Sequence, residues 1–197
     1  MNATERMITK DDIMPYADYA AQRVERRSKM IALKKRRRIS VGPYVTFYFE
    51  NYDTMWTQVQ EMLHTERGGD EQLADELAAY NPLIPQGSEL VATMMIEIPD
   101  EVQRRKILAT LGHIEDKVNL VVGGEKVHAE FEKDIERTTE GGKTSSVHFL
   151  HFPFTADQIA KFRDPSTDVM IEIDHPNYGH MAKISPDNRA ALAEDFA

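Results

Sequence analysis

The hydrophobic pattern of this chain changes period near residue 88, and nothing else in it constrains the fold as much. Before that point apolar residues recur at helical spacing; after it, short β-branched and aromatic runs alternate with Gly and Pro turns. Thr9-Lys10-Asp11-Asp12 reads as a capped turn with Asp12 closing the box. Tyr16 to about Lys35 reads as a long helix in which Ala17, Ala20, Ala21, Val24, Ile31 and Ala32 are interleaved with Arg23, Arg26, Arg27 and Lys29. Tyr44 to Glu50 reads as a strand entered through Gly42-Pro43, Asp53 as the cap of a helix from Thr54 to Arg67, and Glu71 to Tyr80 as a third helix halted before Asn81-Pro82. Beyond residue 88, strands are expected over Glu89–Ile98, Ser145–Phe152, Asp168–Asp174 and His180–Ile184, and a hairpin joins Lys117–Val122 to Lys126–Phe131 through Gly123-Gly124. Helices are expected over Asp100–Leu111, over Ala156–Arg163 behind Thr155, and from Pro186 behind Ser185.

Helices followed by hairpin-joined strands predict an α+β fold: a helical N-terminal part packed on a mainly antiparallel sheet, in a single domain over residues 1–197. That length suits one core. Residues 1–8 are expected to be flexible, 9–38 to form a basic helical arm and 39–197 an acidic body. Residues 1–38 hold 11 Lys/Arg against 5 Asp/Glu, whereas the remainder holds 13 against 28, so a net charge of −9 conceals +6 on one part and −15 on the other. An arm docked on its own body, or on a second copy, fits that asymmetry better than nucleic acid, because the acidic body repels phosphate. The chain contains no cysteine, which excludes disulfides, thiolate nucleophiles and Cys-ligated metal. No apolar run approaches the length of a membrane span and no apolar leader follows Met1, so the expected location is the cytoplasm, away from membranes.

Four of the seven histidines fall between residues 148 and 180: His148, His151, His175 and His180. Imidazole is the commonest protein metal ligand, and with Glu50 or Glu61 as carboxylate ligand or general base such a set suits Fe, Mn or Zn, with Tyr178 or Arg137 orienting a substrate. In a regular strand, however, His148 and His151 point to opposite faces. Glu61 and His64 form a single Glu-x-x-His, half of what a di-iron carboxylate bundle requires. Gly141-Gly142-Lys143-Thr144 imitates the tail of a phosphate-binding loop, but Arg137 stands where its first glycine belongs and a strand follows instead of a helix. Arg137, Lys143 and Thr144 are retained as candidates for an anion site.

Several longer stretches carry a resemblance: Tyr16-Ala17-Asp18-Tyr19; Thr46 to Asn51 leading to Met55-Trp56 and Gln60-Glu61-Met62-Leu63; Glu76 to Pro85; and Lys143 to Phe152. Together they resemble the bacterial domain-of-unknown-function 3501 family over almost the whole chain from about Met7. The resemblance implies an accessory role in redox or peroxide defence, with rubrerythrin-like proteins and an iron-sulfur oxidoreductase of the heterodisulfide-reductase type as partners. The expectation carried forward is a non-catalytic accessory protein whose basic helix and aromatic segment from Phe47 to Trp56 engage a protein partner or a second copy. The alternative is a metal-dependent enzyme or metal-handling protein built on the histidine cluster.

Overall fold

The computed structural model describes residues 6–131, 138, 139 and 141–197. Six α-helices occur among them: α1 (Tyr16–Arg36), α2 (Tyr52–Glu66), α3 (Gly69–Tyr80), α4 (Glu101–Leu108), α5 (Ala156–Arg163) and α6 (Pro186–Ala193). Eight strands complete the framework: β1 (Arg38–Val41), β2 (Val45–Glu50), β3 (Glu89–Ile96), β4 (Val118–Val122), β5 (Glu125–His128), β6 (Val147–Pro153), β7 (Val169–His175) and β8 (Tyr178–Lys183). Local chemistry starts most of the helices. Thr155 and Ser185 accept the backbone N–H of Gln158 and Asn188 and so cap α5 and α6. The start of α2 differs from the sequence expectation: Asn51, not Asp53, is the cap, accepting the Thr54 N–H at 2.9 Å while Thr54 Oγ1 accepts the Asn51 N–H.

The strands form two four-stranded antiparallel sheets, ordered β1-β2-β3-β6 and β5-β4-β7-β8, where one mainly antiparallel sheet was expected. Alternation along each strand sends Phe47, Phe49, Leu90, Met94, Leu150 and Phe152 from the first sheet against Leu120, Val122, Ile171 and Ile173 from the second, in one continuous core. The sheets also touch along both edges. Beyond β5, Glu130 exchanges backbone bonds with His151 of β6, at 2.7 and 2.8 Å. At the other edge, Tyr178 Oη at the start of β8 accepts the Tyr44 and Val45 N–H groups at 2.8 and 3.1 Å and donates to Val41 O at 2.8 Å. The two sheets therefore pack face to face and are tied at both edges.

The N-terminal helices cover the outer face of the first sheet. Met55, Val59, Leu73, Leu83 and Val91 form a second apolar cluster there, with Trp56 and Phe149 packed against it. Within the segment from Phe47 to Trp56, Phe47 and Phe49 lie in the inter-sheet core, Tyr48, Tyr52 and Trp56 are half-buried, and Trp56 Nε1 donates to Asp12 O at 2.8 Å. Of the stretch expected to be flexible, residues 1–5 lie outside the described residues, whereas residues 6–8 are fastened. Arg6 bonds Gln86, and the buried Ile8 exchanges backbone bonds with the Asn81 side chain at 2.7 and 3.0 Å.

Helix α1 docks on the body through charge and aromatic contacts, not through its apolar stripe. Tyr19 is its one buried residue. Its hydroxyl donates to Glu61 Oε1 at 2.8 Å, and Arg23 grips the same carboxylate with two bonds of 2.9 and 2.7 Å. Tyr16 stacks on His64 with ring centroids 4.8 Å apart, and the Arg26 guanidinium lies 5.0 Å from the Trp56 ring centre. Ala17, Ala20, Ala21, Val24, Ile31 and Ala32 all face solvent. At 100° per residue these six span about 120° of the helix, opposite the face that carries Tyr19, Arg23 and Arg26.

Candidate functional site

The four histidines occupy four separate environments. His148 points into the interior at 1% exposure. Its Nε2 lies 3.0 Å from Ser145 O and 3.1 Å from Thr144 Oγ1, and its Nδ1 lies 3.5 Å from the buried Glu115 carboxylate. Carboxylate, imidazole and hydroxyl in a row is the order of an acyl-transfer relay. The Ser145 carbonyl decides otherwise: it can only accept, so Nε2 carries the proton and cannot remove one from Thr144. His151 points to the opposite face of β6, as strand alternation predicts, with Nδ1 3.1 Å from Glu89 Oε2. His175 is held at both nitrogens: Nδ1 accepts the Asn177 N–H at 3.2 Å, which leaves Nε2 to donate to Gly112 O at 3.2 Å and no lone pair for a metal. His180 is exposed on β8, its ring 4.4 Å from that of Tyr178. Among the described residues, no group of three or more His, Asp or Glu side chains converges to hold a metal ion.

The remaining sequence candidates are equally dispersed. Lys143 is exposed on a tight turn closed by the Thr138–Thr144 bridge, whereas Thr144 is buried beneath it beside His148, so the two do not share an anion site. Arg137 lies outside the described residues. Tyr178 is consumed by the edge closure described above, and burial pushes its phenol above the ordinary range. Glu61 is committed to α1: the Arg23 guanidinium, followed by the Tyr19 hydroxyl, holds its carboxyl below the ordinary range against the opposing effect of burial. Glu50 differs from these. Its carboxylate accepts from Thr54 Oγ1 at 2.7 Å and Thr93 Oγ1 at 2.9 Å, and it borders a cleft of about 480 Å³ walled by Tyr48, Met55, Tyr80 and Met95. It makes no ion pair among the described residues, and α2 begins directly after it, capped by Asn51.

Two residues that matter are not singled out by sequence reading. Arg37, hidden in the run Arg36-Arg37-Arg38, is 2% exposed and donates to Phe49 O, Ala191 O and Glu50 O, each at 3.0 Å, as well as to the buried Asp195 carboxylate. Gln60 is also 2% exposed, and its Nε2 has no hydrogen-bond partner among the described residues. At 100° per residue it lies next to Trp56 and Leu63, at the edge of the face that packs on the body, and that position is the signal that distinguishes it from a surface glutamine. Among the described residues no helix is long and apolar enough to cross a membrane.

A crystal structure at 1.90 Å of a protein of unknown function from Burkholderia pseudomallei K96243 is similar, with 40% sequence identity, a TM-score of 0.89, and coverage of 98% of this chain and 100% of that one. No curated protein matches the chain. The family model described as "Protein of unknown function (DUF3501)" matches residues 7–196, and the chain therefore belongs to that family.

Proposed function

We propose that this is a non-catalytic binding protein whose recognition element is the outer face of α1. The observation that carries this reading is the inverted orientation of the helix: Val24 is 85% and Ile31 69% exposed, while the helix is anchored from its other side. Large aliphatic side chains in line on one helix, rimmed by polar residues, mark an interaction surface. The six apolar positions form one stripe that an amphipathic partner helix or groove can cover. Charge selects the partner. Residues 16–36 hold seven Lys/Arg against two Asp/Glu; Arg27, Lys29 and Arg36 flank the stripe, Lys35 continues its line, and Glu25 on the rim is paired with Lys29, so pairing two copies of α1 brings a net excess of like charges together. The occupant proposed is an acidic surface on a different protein, and the family resemblance directs the search to rubrerythrin-like and iron-sulfur oxidoreductase partners in an accessory redox role.

Purified candidates of those two kinds from the same organism, titrated against wild type and against Val24→Glu/Ile31→Glu, test the reading by calorimetry and light scattering. Both substituted positions are exposed, so the double variant is expected to fold. A stoichiometric complex that weakens at least tenfold in the variant and with added salt is the expected result. Equal binding by the two proteins overturns the role of α1. A wild-type homodimer dissolved by the same substitutions assigns the face to a second copy instead.

A further inference from the structure

Between the N-terminal helices and the outer face of the first sheet lies the cleft of about 480 Å³ that Glu50 borders. Strand alternation builds its floor. Phe47 and Phe49 face the inter-sheet core, so Tyr48 and Glu50 face outward, and Thr93, paired with Tyr48, shares that face with Met95 two residues on. Met55 of α2, Tyr80 at the end of α3 and Lys34 near the end of α1 make the walls. Two opposite charges thus border one space. Glu50 is 7% exposed; Thr93, on the floor, donates to its Oε1 at 2.9 Å, and Thr54 donates to its Oε2 at 2.7 Å. A carboxylate has about four lone-pair sites, so about two stay open. Arg37 bonds only the backbone carbonyl of Glu50, at 3.0 Å, and places its charge on Asp195. Lys34 is half-buried, and its ammonium makes no hydrogen bond or ion pair among the described residues.

Buried charges are paired as a rule, and here a carboxylate and an ammonium share a cleft without pairing with each other. A simple cation drawn to Glu50 meets repulsion from Lys34, and a simple anion drawn to Lys34 meets repulsion from Glu50. A ligand carrying an ammonium and a carboxylate of its own answers both. The rest of the lining, Tyr48, Met55, Tyr80 and Met95, offers ring faces and thioethers, which suit an uncharged apolar body. The volume lies within the range of about 300–1,000 Å³ that takes small organic ligands. We infer that this cleft binds an α-amino acid with an apolar side chain, its ammonium on Glu50, its carboxylate on Lys34 and its side chain against Met55, Tyr80 and Met95.

L-Phenylalanine, L-leucine and L-methionine are the probes. For the one that binds best, the amine lacking the carboxylate and the acid lacking the ammonium are the comparators. In wild-type protein labelled with carbon-13 at the methionine methyls, at least one of the three amino acids at millimolar concentration is expected to shift the Met55 and Met95 resonances, and both of its comparators are expected to bind at least tenfold more weakly. Glu50→Gln keeps acceptors for Thr54 and Thr93, and Lys34→Met keeps the length of the side chain. Each is expected to weaken binding of the amino acid at least tenfold, the loss of one charge-assisted hydrogen bond, whereas Lys34→Met leaves binding of the amine no weaker. The wild-type comparators give the answer on their own if Glu50→Gln does not fold. Unmoved Met55 and Met95 resonances with all three amino acids overturn the inference. Equal affinity of wild type for the amino acid and its amine, or of wild type and Lys34→Met for the amino acid, overturns it as well.

Discussion

Replacing Arg37 by Ala is expected to be among the most damaging single substitutions outside the apolar core, although it lies between two arginines that tolerate change. The guanidinium is 2% exposed and joins three parts of the molecule: the end of β2 through Phe49 O and Glu50 O, α6 through Ala191 O, and the C-terminal segment through Asp195. Alanine leaves three buried carbonyls with one partner fewer and strands a carboxylate that burial already pushes above its ordinary pKa against the pull of Arg37. Breaking a buried pair by removing one partner costs about 3–5 kcal/mol. For a chain of this length each kcal/mol lowers the melting temperature by about 2–4 °C, so the expected fall is on the order of 10 °C. Arg36 and Arg38 are exposed, and their alanine variants should stay within about 0.5 kcal/mol of wild type. The deficit of Arg37→Ala should also depend on pH. Without its counter-charge, Asp195 ionises even less readily in the folded state than it does in wild type, so the gap to wild type widens as pH rises through the raised pKa that Asp195 has in the folded wild-type protein and narrows below it. Arg37→Met combined with Asp195→Leu removes both charges and should regain most of the loss. Urea denaturation of the set at two pH values decides the matter. A loss under 1 kcal/mol for Arg37→Ala, or a double variant no better than the single, refutes the reasoning.

Tyr178→Phe should cost about 1–3 kcal/mol by leaving the Tyr44 and Val45 N–H groups and Val41 O without the hydroxyl that serves all three, and hydrogen exchange should accelerate at the β1–β2 turn before it does elsewhere. The grip of α1 should weaken with acid. Because Arg23 and Tyr19 hold the Glu61 carboxyl below its ordinary range, the stability this contributes is complete above the ordinary glutamate pKa and is lost as pH falls through the lower folded value. Exchange rates of α1 amides should therefore rise at low pH in wild type, whereas Glu61→Gln should exchange faster near neutrality and show little of that dependence.

The elements that sequence reading places correctly are those whose causes are local. Helices 156–163 and 186–193 begin where Thr155 and Ser185 can cap them, because a cap and the amide it satisfies lie within one turn. The opposite orientations of His148 and His151 follow from a strand period of two. Where two local solutions compete, sequence does not arbitrate: Asn51 and Asp53 are both good caps, and the end of β2, whose Glu50 is held by Thr93 from β3, selects Asn51. The division into two sheets is beyond local reasoning, since β3 pairs with β6 across some fifty residues and β4 with β7 across a similar gap. The clustering of histidines along the chain likewise dissolves in space, because His148 is claimed by Ser145 and Glu115, His151 by Glu89, and His175 by Gly112 and Asn177.

By itself, then, the sequence determined where the six helices and the strands other than β1 form, the antiparallel character of the strands and the uneven placement of charge, each of which depends on neighbours a few residues away. Only the tertiary structure decided which side of α1 meets the body. Periodicity marks Ala17, Val24 and Ile31 as the face to bury, yet Glu61 on α2 recruits Tyr19 and Arg23 from the far side, and that clasp turns the apolar stripe outward. An amphipathic pattern states that a face needs a partner; which molecule supplies the partner depends on contacts between residues distant in the chain.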